Sequence, residues 1–381
     1  MKIEQIQSNG VPSADSLAKL AAIQPQLVLA FGSIGCMTDA ALLPALRAAL
    51  PQAELAGCST AGEIGNEGVS DDQLVLTALH FNDPDLRLAT TTLLSMDDTF
   101  AAGARLAQQL NDPRLHDVVV LAPGVAINGS ALIAGMRSGL GPGVMVSGGL
   151  AGDAGAFTRT YTLSTQAIDS QQVVAIGFAS PRTQLRHGTF HGWKPFGPAR
   201  KVTRAEGNVL HELDGEPALN VYRKYLGEHA KDLPRSGLLF PFEMLGADRE
   251  GKGLIRTILG IDNEAGSLIL AGSIVPDGYL RLMHASIDSL VDGAEVAAEQ
   301  VSRAGDDALG DRLALMVTCI GRKLVMGARV DEEVEAVAAV LGQGCHRTGF
   351  YSNGEISPML DATDCSLHNQ TMTITHLSER P

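Results

Sequence analysis

The stretch G-C-S-T-A-G-E-I at Gly57–Ile64 has two altered copies further along the chain. The second copy reads S-G-G-L-A-G-D at Ser147–Asp153, and the third reads G-F-Y-S-N-G-E-I at Gly349–Ile356. Each copy follows an apolar run, a helix-like stretch and a second short run. Because a recurring unit fixes the architecture of a chain, the copies predict related strand–helix–strand units, each ending in glycine and a carboxylate. We call the three copies the first, second and third Gly-rich turns.

A second segment of the chain also recurs three times. An apolar run is followed, after a short turn carrying Pro, Asp or Gly, by a Leu-Arg pair that opens a second run; the first runs are Gln73–Leu79, Gln172–Phe178 and Ser267–Ser273. Two such runs joined by a short turn are typical of a β-hairpin. We therefore predict three hairpins that alternate with the strand–helix–strand units.

Together these patterns predict the mixed α/β (α+β) class, with helices packed on mixed sheets. Two pseudo-repeated domains are expected, residues 1–226 and 227–381, because the stretch Gly227–Gly237 is polar and contains Pro234. With 381 residues, of which 45% are hydrophobic, the chain is long enough to bury two substantial cores.

Charge and cysteine content argue against several classes of protein. The net charge is −14 and no cluster of Lys and Arg forms a patch, so neither nucleic acid nor an anionic membrane is an expected partner. No apolar run approaches the roughly 20 residues of a membrane span, and no signal peptide is evident. The five scattered cysteines, without a C-x-x-C pair, are typical of reduced thiols. We therefore expect a cytoplasmic protein.

The Gly-rich turns place a carboxylate directly after a glycine, as Gly62-Glu63 and Gly354-Glu355. Small molecules often dock at strand ends in α/β folds, so these four residues are candidates for the rim of a ligand site. The alternative is structural, since the glycine allows a tight bend and the glutamate can accept hydrogen bonds from backbone N–H groups. None of the turns matches the phosphate-binding P-loop.

Two cysteines are candidates for a nucleophile. Cys58 lies in the first Gly-rich turn, and a catalytic role for it or for Cys319 requires a base nearby. No signature of a cysteine hydrolase surrounds Cys58, and the corresponding positions of the other turns carry Gly148 and Phe350, which favours packing. A cysteine-dependent enzyme is therefore the last of our hypotheses, and we expect the chain not to be an enzyme.

Two histidines form the most specific candidate site. His187 and His191 lie four residues apart on one predicted strand, so they share a face at a separation of roughly 13 Å and cannot both bind one metal ion. One of them is able to ligate a haem iron, with Trp193 as an apolar wall and Arg186 paired with a propionate. The alternative is polar residues on an open sheet face. His346 and His368 rank below His191, and no H-E-x-x-H zinc motif is present.

Several motifs in order along the chain resemble the FIST proteins. Besides the three Gly-rich turns, these motifs are H-G-W-K-P-F-G-P, C-I-G-R-K and L-H-N-Q-T. The resemblance runs from about Leu27 to Leu377. It implies an N-terminal and a C-terminal FIST domain with a sensory, ligand-binding role in bacterial signalling. A stand-alone chain is similar to the nitric-oxide-sensing branch of the family called NosP, which implies haem b bound through a histidine. It also implies regulation of a partner histidine kinase or a cyclic-di-GMP enzyme, that is, a diguanylate cyclase or phosphodiesterase.

Three hypotheses follow from the sequence. The first is a haem-based nitric oxide sensor in which His191 is the axial ligand of the iron and His187 is the fallback. The second is a haem-free sensory domain that binds a small metabolite, with Glu63 and Glu355 at the rim. The third is the cysteine-dependent enzyme. A second copy of the chain is counted among the candidate partners, as a homodimer.

Overall fold

The computed structural model describes residues 1–275, 277–302, 310–358 and 365–380. The α-helices in these ranges are α1 (Ala14–Ala22), α2 (Ile34–Met37), α3 (Leu42–Ala49), α4 (Thr99–Gln109), α5 (Gly129–Gly139), α6 (Ala218–Leu226), α7 (Ile287–Ser302), α8 (Ile320–Met326) and α9 (Asp331–Leu341). Short 3-10 helices are Met96–Asp98, Gly227–Asp232, Arg235–Leu238 and Gly327–Arg329.

The strands, numbered in chain order, form four sheets. The first sheet contains β1 (Lys2–Ser8), β2 (Leu27–Gly32), β3 (Glu54–Ser59), β6 (Leu74–His80), β10 (Thr162–Ser164) and β11 (Ile168–Asp169). The second contains β7 (Leu86–Thr92), β8 (Asp117–Ala122), β9 (Met145–Leu150), β12 (Gln172–Phe178), β24 (Gly354–Pro358) and β25 (Cys365–His368). The third contains β4 (Glu63–Gly65), β5 (Gly68–Ser70), β13 (Thr183–Phe190), β22 (Arg312–Cys319), β23 (Cys345–Ser352) and β26 (Met372–Glu379).

These three sheets share one pattern. Their strand orders are β1-β6-β2-β3-β10-β11, β7-β12-β8-β9-β24-β25 and β13-β26-β22-β23-β4-β5. The two central strands are parallel in each sheet, as β2–β3, β8–β9 and β22–β23. The neighbours on both sides of each parallel pair are antiparallel to it. The repeat seen in the sequence is therefore a structural repeat that occurs three times.

Each Gly-rich turn carries the chain from one sheet to another. After β3 the first turn adds β4 and β5 to the third sheet, after β9 the second turn leads on to β10 and β11 in the first sheet, and after β23 the third turn adds β24 and β25 to the second sheet. The exchange is cyclic, so each sheet is completed by strands from another unit. The three sheets consequently depend on one another for their strand partners.

A ring of three backbone hydrogen bonds closes this cycle. The N–H of Gly152 donates to the carbonyl of Ser59 (2.8 Å), that of Asn353 to Leu150 (3.1 Å) and that of Ala61 to Tyr351 (2.8 Å). A Cβ atom at position 152 would lie 2.5 Å from the nitrogen of Ala61 and 2.8 Å from the oxygen of Tyr351. Glycine is therefore needed at position 152 for the close approach of the three turns.

The main core lies between the three sheets. Alternate residues of the parallel strands point inward, and the core contains Leu29 and Phe31 of β2, Val119 of β8, and Leu315 and Val317 of β22. The intervening residues point outward and pack against the helix pairs α1–α3, α4–α5 and α7–α9. Because both faces of each parallel pair are buried, these strands read as continuous apolar runs in the sequence.

The fourth sheet is inserted into the third unit, between β13 and α7. It contains β14 (Lys194–Glu206), β15 (Val209–Leu213), β16 (Glu216–Pro217), β17 (Phe242–Leu245), β18 (Gly251–Arg256), β19 (Ile258–Asp262), β20 (Ser267–Leu270) and β21 (Tyr279–His284). Helix α6 packs on this sheet through Leu219 and Tyr222. The insertion thus has a hydrophobic core of its own.

The predicted mixed α+β class, with mixed sheets and packed helices, is confirmed. The predicted hairpins are wrong: β6 and β7 lie in different sheets, as do β12 and β13, and β20 and β21 share the fourth sheet without being neighbours. After each short turn the chain continues away from the preceding strand instead of pairing with it. Alternation of apolar and polar side chains predicts which face of a strand is buried, but it does not predict which strand pairs with it. The domain boundary at residues 226 and 227 stays a prediction; it falls at the end of α6, and the second and third sheets take strands from both sides of it.

Candidate functional site

The carboxylates of the Gly-rich turns are buried and bonded to their own chain. In Glu63, which is 1% exposed, Oε1 accepts a hydrogen bond from the hydroxyl of Thr60 and Oε2 accepts the N–H of Gln73 (3.1 Å). In Glu355, Oε1 accepts the hydroxyl of Ser352 (2.7 Å), and Oε2 accepts the N–H and hydroxyl of Thr371 (3.1 and 2.9 Å). In both turns, therefore, the glutamate accepts a hydroxyl group from three residues earlier and a backbone N–H group from another segment.

Asp153 plays the corresponding part in the second turn. Its carboxylate accepts the backbone N–H groups of Phe157 (2.9 Å), Thr158 (2.7 Å) and Arg159 (3.1 Å). All three carboxylates thus accept hydrogen bonds from backbone N–H groups of their own chain. The structural alternative accounts for these contacts, and a ligand rim formed by Glu63 and Glu355 stays a prediction.

The glycines of the predicted rim differ in what they require. Gly62 has φ of +138°, a conformation that other residues rarely adopt, and it lies against the ammonium group of Lys323. That ammonium group donates to the carbonyl of Ala61 (2.8 Å) and pairs with Asp71. Gly354 instead packs against apolar side chains of neighbouring strands. Lys323 therefore fixes the first turn from α8, a contact that the sequence did not predict.

Burial changes the titration of the two glutamates. Desolvation raises the pKa of Glu63 and of Glu355 from 4.5 to about 7, although the hydrogen bonds from Thr60 and Ser352 act in the opposite direction. Both groups therefore titrate in the physiological range.

A buried ion pair lies beside the first turn. Arg322 and Glu333 are both 0% exposed, and Nε and Nη2 of Arg322 donate to Oε2 of Glu333 at 3.0 and 2.7 Å. The hydroxyl of Tyr351 donates to Oε1 of Glu333 (2.6 Å). Arg322 also donates to the backbone carbonyls of His191 (2.6 Å) and Leu290 (2.8 Å). The pair connects α8, α9 and the start of the inserted segment.

His191, the predicted haem ligand, is held in place by its neighbours. Its Nδ1 accepts the backbone N–H of Trp193 (2.9 Å), and its ring stacks on Phe190 with 5.3 Å between ring centroids. Desolvation lowers the pKa of His191, which favours the neutral ring. Trp193 is 3% exposed, and its indole N–H donates to the carbonyl of Gln370 (3.0 Å). Trp193 is therefore a core residue.

His187, the fallback ligand, takes part in a different network. Its Nε2 contacts Oδ1 of Asp117 (2.7 Å), and its Nδ1 lies 3.4 Å from the hydroxyl of Thr375. Oδ2 of the same aspartate contacts Nδ1 of His116 (2.8 Å), and this hydrogen bond raises the pKa of His116. Arg186 is half-buried in β13, opposite His376 of β26. Both ring nitrogens of His187 thus have partners inside the protein.

A haem group requires a flat apolar slot and a histidine nitrogen directed at the iron. Nε2 of His191 takes no hydrogen bond among the described residues, but neither histidine lines any of the larger cavities described below. Trp193 and His187 are occupied by other contacts. The residues as arranged do not fit a haem group, and His191 as the iron ligand and haem b as the cofactor stay predictions.

The cysteines and the acidic side chains offer little for redox or metal chemistry. All five cysteines lie in the described part of the chain, are buried and form no disulfide bond. Desolvation raises the pKa of Cys58 and of Cys319, which disfavours the reactive thiolate. Within the described part of the chain, no group of three or more His, Cys, Asp or Glu side chains is arranged to hold a metal ion.

A cavity of about 330 Å³ lies between α5, β25 and β18. It is lined by Ser130, Ile133, Ala134, Arg137, Arg256, Cys365, Ser366 and Leu367. The helix contributes Ala134 and Arg137 to the wall, and the inserted sheet contributes Arg256. Its volume lies at the lower end of the range for small-molecule sites. We call it the arginine cavity.

Arg256 is the most unusual residue of this wall. It is 4% exposed, and its Nε donates to the carbonyl of Ser273 (3.1 Å) while Nη1 donates to those of Ile255 (3.0 Å) and Leu367 (3.1 Å). Desolvation lowers the pKa of Arg256 to about 10. This residue was not among the predicted site residues, although an arginine inside the apolar run L-I-R-T-I-L is a usable signal.

Two other cavities are larger than the arginine cavity. One, of about 590 Å³, lies at the C-terminal end of α9 and is lined by residues that include Ala338, Ala339 and His346. The other, of about 390 Å³, lies beside Gln24 and Pro51. The first is lined by Arg347, which is half-buried, and the second has no arginine in its lining.

Comparison with known proteins gives relatives over nearly the full length. An uncharacterized protein of Mycobacterium tuberculosis is 28% identical over 379 residues, which cover 95% of this chain and 94% of the relative. An uncharacterized protein of Methanocaldococcus jannaschii is 24% identical over 207 residues, 51% of this chain and 39% of the relative. In the described ranges, no helix is long and apolar enough to cross a membrane.

The structure is also similar to that of a cyanuric acid hydrolase from A. caulinodans. The match covers 100% of this chain and 99% of the hydrolase, with 12% sequence identity and a TM-score of 0.37. The expectation that the chain is not an enzyme is contradicted by this match and is withdrawn. A TM-score this low carries no argument about activity, so no reaction is assigned to the chain.

Two sequence profiles match the chain and together cover most of it. The FIST N domain matches residues 26–216, and the FIST C domain matches residues 218–358. The matches reach the level of the family and not that of its nitric-oxide-sensing branch. The chain therefore belongs to the FIST family, whose domains are sensory, ligand-binding domains of signalling proteins.

Proposed function

We propose that this protein is a haem-free FIST sensory domain that binds a small ligand in the arginine cavity. The observation that supports the proposal is the position of the cavity between two segments of the chain. Its walls come from α5, inside the segment matched by the FIST N domain, and from β18, inside the segment matched by the FIST C domain. A ligand bound there contacts both segments at once, and it favours the conformation in which those contacts are made.

A partner protein reads out this conformation in the proposed scheme. A histidine kinase or a cyclic-di-GMP enzyme is the partner that the resemblance implied, and the cytoplasm is the predicted location. Haem-based nitric oxide sensing is the other sensory function that the sequence predicted. It is not favoured here, because the surroundings of His187 and His191 do not form a haem slot.

The test is a thermal-shift screen of small metabolites on the purified chain, with a matched pair of variants. Ala134→Phe places a ring in the arginine cavity, whereas Ala339→Phe places one in the groove at α9; both alanines are exposed residues of a helix that line a cavity. A ligand at about 100 times its Kd raises the free energy of unfolding by roughly 2.7 kcal/mol. We expect compounds that stabilise the unmodified chain and Ala339→Phe but not Ala134→Phe.

A visible absorption spectrum of the haem-supplemented protein completes the experiment. The proposal expects no stoichiometric Soret band. Such a band, present in the unmodified chain and absent from His191→Ala, would replace the proposal by the haem sensor. Ligands that stabilise Ala134→Phe as well as the unmodified chain would show that the site lies elsewhere.

A further inference from the structure

We propose that the ligand of the arginine cavity carries a carboxylate or phosphate group, and that the guanidinium of Arg256 binds this group. The inference rests on the proposed function, and it names the chemical class of the ligand for the same site. It is carried by the contacts of one side chain and by the cavity that the side chain borders.

One of the three guanidinium nitrogens of Arg256 donates no hydrogen bond to a described residue. A guanidinium has five N–H donors in a fixed planar fork. The Nε donor goes to the carbonyl of Ser273 and the two Nη1 donors go to those of Ile255 and Leu367. Nη2 makes no hydrogen bond to any described residue. The side chain that carries these two remaining donors is 96% buried and borders the cavity.

Among the described residues, the charge of Arg256 also has no ionic partner. Within the described residues no carboxylate forms an ion pair with it, and its contacts are three neutral carbonyl groups. A buried charge is costly unless it is paired. The desolvation appears as the lowered pKa of the group, yet a guanidinium stays protonated at physiological pH. An anion in the cavity would supply the missing charge and accept the donors of Nη2.

The rest of the wall fits a small, partly apolar anion. Ile133 and Leu367 provide apolar surface, and the hydroxyl-bearing Ser130 and Ser366 are further hydrogen-bonding residues. A guanidinium binds carboxylate and phosphate groups through the same two parallel N–H donors, so the two ligand classes share this chemistry. Arg137 lines the same cavity and adds a second cationic side chain to it.

The experiment titrates three probes against the purified full-length chain by calorimetry. The probes are glutarate, inorganic phosphate and glutaramide, which matches glutarate in size but carries no charge. Each probe is titrated against the unmodified chain, Arg256→Gln, Ala134→Phe and the control Ala339→Phe. The titrations are repeated at low and high KCl, because salt weakens the attraction between ions.

We expect glutarate or phosphate to bind and glutaramide not to bind. Affinity should fall at least tenfold in Arg256→Gln, fall in Ala134→Phe and with added KCl, and stay unchanged in Ala339→Phe. Binding of glutarate alone assigns the site to carboxylates, and binding of phosphate alone assigns it to phosphate groups. If Arg256→Gln does not fold, loss of binding in Ala134→Phe with retention in Ala339→Phe still supports the inference.

Three results would overturn it. These are equal binding of glutaramide and glutarate, unchanged affinity in a folded Arg256→Gln variant, and no binding of either anion at millimolar concentration. In each case the metabolite screen decides the fate of the proposed function separately. A neutral compound that stabilises the unmodified chain but not Ala134→Phe keeps the sensory site, whereas the absence of any such compound removes both proposals.

Discussion

Arg322 and Arg256 are both buried arginines, but their surroundings differ. Arg322 donates two hydrogen bonds to Glu333, whereas Arg256 meets three backbone carbonyls and the wall of a cavity. Because a guanidinium keeps its charge, a fold that buries one must supply an anion or leave room for one. The first arginine has its anion inside the protein, and we assign the anion of the second to the ligand.

The two arginines also differ in what they connect. Arg322 lies where α8 and α9 meet the inserted segment, and it binds the carbonyls of His191 and Leu290. It therefore belongs to the scaffold. Arg256 lies at the end of β18, where the inserted sheet approaches α5. Changes at the two sites should consequently differ in kind, one affecting stability and the other affecting binding.

The largest effect on the free energy of unfolding is expected from Glu333→Gln. This substitution removes the carboxylate that pairs with Arg322. The substitution keeps the shape of the side chain but leaves a buried guanidinium without its counter-charge. We expect the free energy of unfolding to fall by about 3–5 kcal/mol, as for other broken buried pairs. Urea unfolding followed by circular dichroism measures the change.

Glu335→Gln is the matched control, because it makes the same change at an exposed position of the same helix. We expect a change within about 0.5 kcal/mol there. A loss below about 1 kcal/mol in Glu333→Gln would show that the ion pair is not what keeps Arg322 buried.

The next effect is a dependence of stability on pH. It arises from two buried carboxylates that do not form an ion pair with a described arginine as Glu333 does. Glu63 and Glu355 have pKa values raised from 4.5 to about 7, so between these values the folded chain binds more protons than the unfolded chain. Their stabilising contribution is therefore complete below pH 4.5 and is lost as the pH rises through 7, by about 3 kcal/mol for each fully shifted group. Urea midpoints measured from pH 5 to pH 8 test the direction and the size.

A variant separates this effect from the general titration of the surface. Glu355→Gln resembles the protonated side chain, so its stability should fall less between pH 5 and pH 8 than that of the unmodified chain. Glu335→Gln should keep the full decrease. Identical slopes in Glu355→Gln and the unmodified chain would show that Glu355 does not titrate in this range.

The repeat could be predicted from the sequence, because the Gly-rich turns have to keep their glycines and carboxylates. Gly62 needs its positive φ, and Glu63, Asp153 and Glu355 each accept backbone N–H groups, so the motif is visible without an alignment. The partners of the strands could not be predicted in this way. Alternation shows that β6 and β12 are buried strands, but the exchange between sheets depends on residues far away in the chain.

The candidate site shows the same limit more strongly. His187 and His191 were chosen because they were predicted on one face of a strand, but β13 ends at Phe190 and His191 lies beyond it. The residues that contact them, Asp117 and Trp193, are set by three-dimensional packing. Arg256 was missed because the sequence does not show whether a buried arginine forms an ion pair. A charged residue in an apolar run is a visible signal, whereas the lack of an ion pair between Arg256 and any described carboxylate can be seen only in the structure.

The smallest effect on stability is expected from Arg256→Gln without ligand, and this variant tests the comparison directly. The substitution removes three hydrogen bonds to carbonyls but also removes a buried charge that forms no ion pair with a described residue. These contributions oppose each other, so we expect the free energy of unfolding to change by about 1 kcal/mol or less. Arg322→Gln, the matched change at the other arginine, leaves Glu333 buried without its partner and should cost about 3–5 kcal/mol. Parallel urea unfolding of both variants measures the difference. Equal losses would mean that Arg256 belongs to the scaffold as Arg322 does. A small loss at Arg256, together with a large one at Arg322, would mean that the fold bears the cost of burying Arg256 for the sake of binding.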